Sequence, residues 1–197
     1  MKGCDLVGIK FENVTKAFDT NKVLDNFSVE ISDGETVSVM GESGSGKTTF
    51  LGIISGIISA DSGTVSGISD KKIAFVFQED RLAENFTVYR NICLGAGCKL
   101  DRSQVSDALK EIGLVENILY ERVANLSGGM KRRVAILRAL FYDYDILLLD
   151  EPTKGLDEQN KKLTVDYILN KSQNKTVIWV THDENEAKYV SDRVITI

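Results

Sequence analysis

The chain has 197 residues but only one proline, one tryptophan, one histidine and three cysteines. With a single proline, 43% apolar and 27% charged residues, it is neither collagen-like nor a proline-rich disordered chain and can bury a core. Cys4, Cys93 and Cys98 are odd in number and include no CxxC pair, which argues against a disulfide framework. One histidine leaves too few ligands for a structural zinc site. Long apolar runs are missing too. The longest, from Phe50 to Ala60, is broken by Gly52, Ser55, Gly56 and Ser59 and falls short of the roughly 20 residues that cross a bilayer. The first ten residues carry Asp5 where a secretory signal needs an unbroken apolar core, so a soluble, cytoplasmic domain is expected. Basic residues are in the minority, 24 against 29 acidic, for a net charge of -5, which weighs against nucleic acid as a partner. Lys131, Arg132, Arg133 and Arg138 nevertheless cluster, and read as the solvated face of a helix.

Internal repeats and Pro/Ser-rich linkers are absent, so the chain reads as one domain over residues 1–197. Short β-branched or aliphatic runs at 29–31, 36–40, 73–77, 146–150, 176–180 and 194–197 predict strands. Several are continuously apolar, as strands buried on both faces should be. Helical spacing fills the intervals 47–55, 103–113, 128–142, 158–171 and 184–190, and this alternation predicts a parallel α/β sheet flanked by helices. The opening forty residues differ. Turn signals at Asp25-Asn26 and Ser32-Asp33-Gly34 predict a small antiparallel sheet before the α/β core. Residues 80–125 read as helical, an insertion in that core that continues into 126–142.

The run Gly41-Glu42-Ser43-Gly44-Ser45-Gly46-Lys47-Thr48-Thr49 matches GxxxxGK[ST], follows a predicted strand and opens a predicted helix. Glycines let successive N–H groups turn toward phosphate oxygens, and the helix adds the positive end of its dipole. Lys47 then reaches the β- and γ-phosphates of a nucleotide and the Thr48 hydroxyl ligates Mg²⁺. Such a site needs a carboxylate on a neighbouring strand. Ile146-Leu147-Leu148-Leu149-Asp150-Glu151 supplies Asp150 for the magnesium shell and Glu151 to polarise an attacking water. A guanine-reading NKxD is missing: none of the Asn-Lys pairs at Asn21, Asn160, Asn170 and Asn174 has the required aspartate.

Leu126-Ser127-Gly128-Gly129-Met130, placed between the two nucleotide motifs, resembles the LSGGQ signature of ABC ATPases. Further landmarks of that family follow in order. Gln78 stands at the Q-loop position, which meets the magnesium site, Pro152 to Asp157 resembles the D-loop that crosses a dimer interface, and Thr181-His182-Asp183 matches the switch histidine. Phe18 stands where the family stacks an aromatic on adenine. The resemblance implies a head-to-tail dimer, homodimer or pseudo-dimer with a related ATPase. In it, ATP lies between the phosphate loop of one copy and the Ser127-Gly128-Gly129 helix start of the other, with Asp157 near the same interface. It further implies transmembrane permease subunits as partners, a peripheral place on the inner face of the membrane, and a solute-binding protein if the system imports. Phe86 and Tyr89 are then candidate contacts for the permease, with core packing the other reading of either side chain. The other reading within the family is a soluble ATPase acting on nucleic acid or in regulation. Met130 for the usual glutamine, with Phe77-Gln78-Glu79-Asp80-Arg81-Leu82, looks like the importers of nitrate, sulfonates and taurine. Arg132 for a glutamine and Lys154 for a small or aromatic residue depart from the family pattern.

Overall fold

A computed structural model describes residues 8–197; Cys4 and the first seven of the ten residues read for a signal lie outside the described residues. Two sheets form. Strands β1 (Ile9–Phe18), β2 (Asn21–Ile31) and β4 (Ser62–Ser66) make an antiparallel sheet in the order β2-β1-β4. Strands β3 (Thr36–Met40), β5 (Ile73–Val76), β6 (Ile146–Asp150), β7 (Thr176–Val180) and β8 (Arg193–Thr196) make a parallel sheet in the order β5-β6-β7-β3-β8. Every residue of β6 and β7 is buried, as their unbroken apolar runs predict. Trp179 is fully buried in β7 and packs in the core.

Helix α1 (Lys47–Ile54) lies between the two sheets. Its Phe50 packs against Phe11 and Phe27 with ring centroids 4.8 and 5.7 Å away, so the antiparallel sheet grips the helix that follows the phosphate loop. Helices α2 (Val88–Ala96), α3 (Arg102–Glu111) and α4 (Gly128–Leu140), with 3₁₀ turns at Glu116–Tyr120 and Val123–Asn125, form the helical insertion and share a core with the other face of the parallel sheet. Helices α5 (Glu158–Lys171) and α6 (Glu184–Val190) complete the α/β part.

Two expectations are corrected. Asp25-Asn26 is not a turn but an interior point of β2, where the pairing with β1 slips between Val14↔Phe27 and Lys16↔Leu24. Asn26 takes a left-handed φ of 51° there, so a residue that suits turns serves a bulge. The basic cluster is not a solvated face either. Arg132 and Arg133 are 5% and 6% exposed, and their guanidinium groups donate to backbone carbonyls of other segments. A charge can be buried when its donors find acceptors, and here carbonyls at loop and helix ends supply them together with the side chains of Asp80 and Asn160.

Asp101, Asp157 and Asp183 cap α3, α5 and α6 by accepting backbone N–H bonds at 3.0, 2.9 and 2.9 Å. These bonds hold Asp101 and Asp157 below the ordinary aspartate range, while the Lys161 ammonium does so at Asp183, with the cap bonds adding to it. Such a carboxylate stabilises the fold above its unfolded pKa near 4, and that contribution disappears as pH falls through the lower folded value. Thermal unfolding midpoints are therefore expected to change little between about pH 7 and 5 and to fall below about pH 4. A midpoint that stayed level to about pH 2.5 would contradict the assignment.

Candidate active site

The phosphate loop joins β3 to α1. Gly46, the residue before α1, has φ of 106°, and a Cβ there would stand 2.5 Å from the Val23 carbonyl oxygen. Only glycine fits so close an approach with that backbone. No side chain caps α1, which leaves the leading N–H groups of the helix available to an anion. Lys47 folds back over the loop, its Nζ donating to the carbonyls of Gly41 and Glu42 at 2.8 and 2.6 Å.

Across the loop, Thr48 Oγ1 donates to Asp150 Oδ2 at 2.9 Å. Asp150 ends β6, is 3% exposed, and is pushed above the usual aspartate range by burial and by neighbouring Glu151, against the Thr48 bond. Glu151 takes a left-handed φ of 47° as the chain leaves the strand, a costly backbone for a non-glycine residue that the Glu151 N–H bond to the Val180 carbonyl helps to hold. One carboxylate oxygen of Glu151 meets Lys154 Nζ at 2.6 Å and the other faces His182 Nδ1 at 3.5 Å. Burial raises the proton affinity of this carboxyl, but Lys154 and His182 outweigh it and the net shift is downward. Behind His182, the buried Glu186 carboxylate accepts from Thr153 Oγ1 at 2.6 Å and Thr181 Oγ1 at 2.5 Å.

A cleft of about 700 Å³ collects Phe18, Gly41, Ser43, Gly44, Gly46, Lys47, Thr48, Thr49, Gln78, Asp150, Glu151 and His182. Phe18 stands 48% exposed at its rim, as a surface for a planar group, and is not a core side chain. Glu42 and Ser45 belong to the loop without lining the cleft: Glu42 supplies a carbonyl to Lys47, and Ser45 Oγ lies 3.5 Å from the same ammonium. Ser127, Gly128 and Gly129 are elsewhere, at the start of α4, where Ser127 accepts from the Met130 N–H at 3.4 Å. Ser127 and Gly128 are exposed, as is Asp157, and none of the four lines this cleft. Sequence reasoning missed Val23, whose neighbours carry no nucleotide motif, and the part played by Lys154. The latter had a signal, since an i,i+3 Glu-Lys spacing brings the two charges together on one turn.

Residues 24–154 match the ABC transporter family. This chain belongs to that family. Among relatives of the cassette, the aliphatic sulfonates import ATP-binding protein SsuB 1 of Pseudomonas savastanoi pv. phaseolicola is 39% identical over 184 residues, 92% of this chain and 77% of the relative. The sulfate/thiosulfate import ATP-binding protein CysA of Mesostigma viride is 35% identical over 204 residues, 96% of this chain; the cassette spans 59% of that relative's length. Among solved structures, the dimeric post-hydrolysis state of the ATP-binding cassette MJ0796 with ADP and Pi superposes with a TM-score of 0.85 at 33% identity, covering 96% of this chain and 94% of that one.

Proposed function

We propose that this chain is the ATP-binding and hydrolysing subunit of an ABC importer, working as a head-to-tail dimer on separate transmembrane subunits. One observation carries the reading: a single cleft holds the phosphate loop, the Thr48–Asp150 pair, Glu151, Gln78 and His182. Import is supported by the relatives, whose names describe import of sulfate, thiosulfate and aliphatic sulfonates. No helix among the described residues is long and apolar enough to cross a membrane. In this reading the membrane path belongs to the transmembrane subunits, and a solute-binding protein delivers the cargo.

The residues fit a magnesium ion with the nucleotide. Thr48 and Asp150 offer hard oxygen ligands side by side, Gln78 lines the same cleft, and the buried Asp150 charge calls for a cation. Magnesium bound there would offset phosphate charge. The chain's own residues do the rest. The loop N–H groups and Lys47 bind phosphate oxygens, Phe18 offers its ring to the base, and Glu151 orients and accepts a proton from the water that attacks. His182, beside Glu151, adds a donor for charge that develops on the transferred phosphoryl group.

The test is twofold. The purified chain is expected to release phosphate from ATP in the presence of magnesium, and detergent extracts of its host are expected to yield it with a multi-span membrane protein. Absence of ATP-dependent phosphate release overturns the ATPase reading; recovery with nucleic acid in place of a membrane protein overturns transport.

A further inference from the structure

Arg132 stands two positions beyond Met130, and it is the most heavily bonded side chain around the cleft. Its Nε donates to the Pro152 carbonyl at 3.0 Å. Nη2 donates to the carbonyls of Asp150 and Glu151 at 2.7 and 2.9 Å. Nη1 donates to the Phe77 carbonyl, with the Gln78 carbonyl and Asp80 Oδ1 each at 3.3 Å. A guanidinium carries five N–H donors in a rigid fork, so all of them are engaged in a group that is 5% exposed. One side chain thus ties together the backbone that carries Gln78, the strand end that carries Asp150 and Glu151, and α4. Arg138, further along α4, adds bonds to the carbonyls of Asp80 and Arg81 at 3.0 and 2.7 Å, so the segment after Gln78 is held to the same helix twice.

The chemistry of the linkage is directional. Ser127 caps α4 at an exposed position, while Arg132 sits just over one turn further on and is buried. A push or pull on the exposed end of α4 must either carry the Gln78 and Glu151 backbones with it or strip acceptors from a buried charge. The second course is costly, because each lost partner leaves a desolvated donor unpaired.

We propose that Arg132 is a positioning residue that couples the signature helix to the Gln78 and Glu151 backbones, so that what docks on Ser127 is felt at the hydrolytic residues of the same chain. The inference rests on the proposed roles of Ser127, Gln78 and Glu151. Glutamine brings two donors where five are used, and lysine brings three without the planar fork.

The experiment compares Arg132→Gln and Arg132→Lys with the unsubstituted full chain in steady-state ATP hydrolysis, equilibrium binding of ATP with magnesium, and thermal unfolding. The expected result is a folded Arg132→Gln with ATP affinity within about twofold, kcat lowered about tenfold or more, and partial recovery in Arg132→Lys. A folded Arg132→Gln with unchanged kcat overturns the coupling, as does an equal loss of binding and turnover, which would mark a merely structural role. Hydrogen exchange on the unsubstituted chain gives a reading that does not depend on whether a variant folds. Addition of ATP and magnesium is expected to change protection at residues 78–81, 151–154 and the first turns of α4 together, and a change in one of them alone overturns the proposal. Failure of the underlying site shows separately, as wild-type turnover in Glu151→Gln.

Discussion

Glu151→Gln is expected to lower ATP turnover by at least about a hundredfold, the usual contribution of a positioned general base, while leaving ATP affinity nearly unchanged. The reason is local. The amide keeps the size of the carboxylate and its place on the strained turn, but it cannot accept a proton from water, and it loses the charge that holds Lys154 at 2.6 Å. Binding rests on other groups, the loop N–H donors and Lys47, which the substitution does not touch. With ATP bound and uncleaved, the dimer should persist, visible as a doubled mass in light scattering with ATP and magnesium. Turnover at the wild-type rate would remove Glu151 from the hydrolytic role.

Ser127→Arg is expected to abolish that ATP-dependent dimer while the monomer still folds and still binds ATP. The side chain lies on the surface in this chain, so an arginine meets no steric barrier in the monomer. Loss of the cap bond to the Met130 N–H costs about 1 kcal/mol of helix stability, too little to unfold the domain. What changes is the face presented to a second copy, where a long cation replaces a small hydroxyl beside two glycines. Light scattering in the Glu151→Gln background decides it: a dimer of doubled mass in the double variant would refute a nucleotide site completed across two chains.

Much of the fold was legible because β6 and β7 are buried on both faces and therefore spelled in continuous apolar residues. Strand β4 was not. Ser62–Ser66 contains one apolar residue, Val65, and owes its conformation to pairing with β1, where Phe11↔Val65 and Lys10↔Ser66 align. Tertiary pairing overrides weak local preference there. The bulge at Asn26 misled for a related reason, since a left-handed residue suits a turn and a strand irregularity alike. In the candidate site, the phosphate loop and the acids of β6 were legible because phosphate and metal chemistry restricts residue type and spacing together. Arginines 132 and 133 were opaque. Their burial depends on carbonyls more than fifteen residues away in sequence, at Asp150, Pro152 and Gly113, and no helical periodicity encodes such partners.

The buried Glu186 carboxylate couples two loops of the site. Both of its oxygens are taken by hydroxyl groups, from Thr153 two residues after Glu151 and from Thr181 one residue before His182, and the Asp183 N–H closes the chain by donating to Thr181 Oγ1 at 3.1 Å. Two loops that leave different strands are thereby fastened to one short, rigid latch on α6. If the turn after Glu151 shifts when two copies meet, the latch transmits that displacement to His182 without any help from the nucleotide. A displacement of the turn after Glu151 that left the backbone beside His182 behind would strip a hydroxyl from a buried carboxylate.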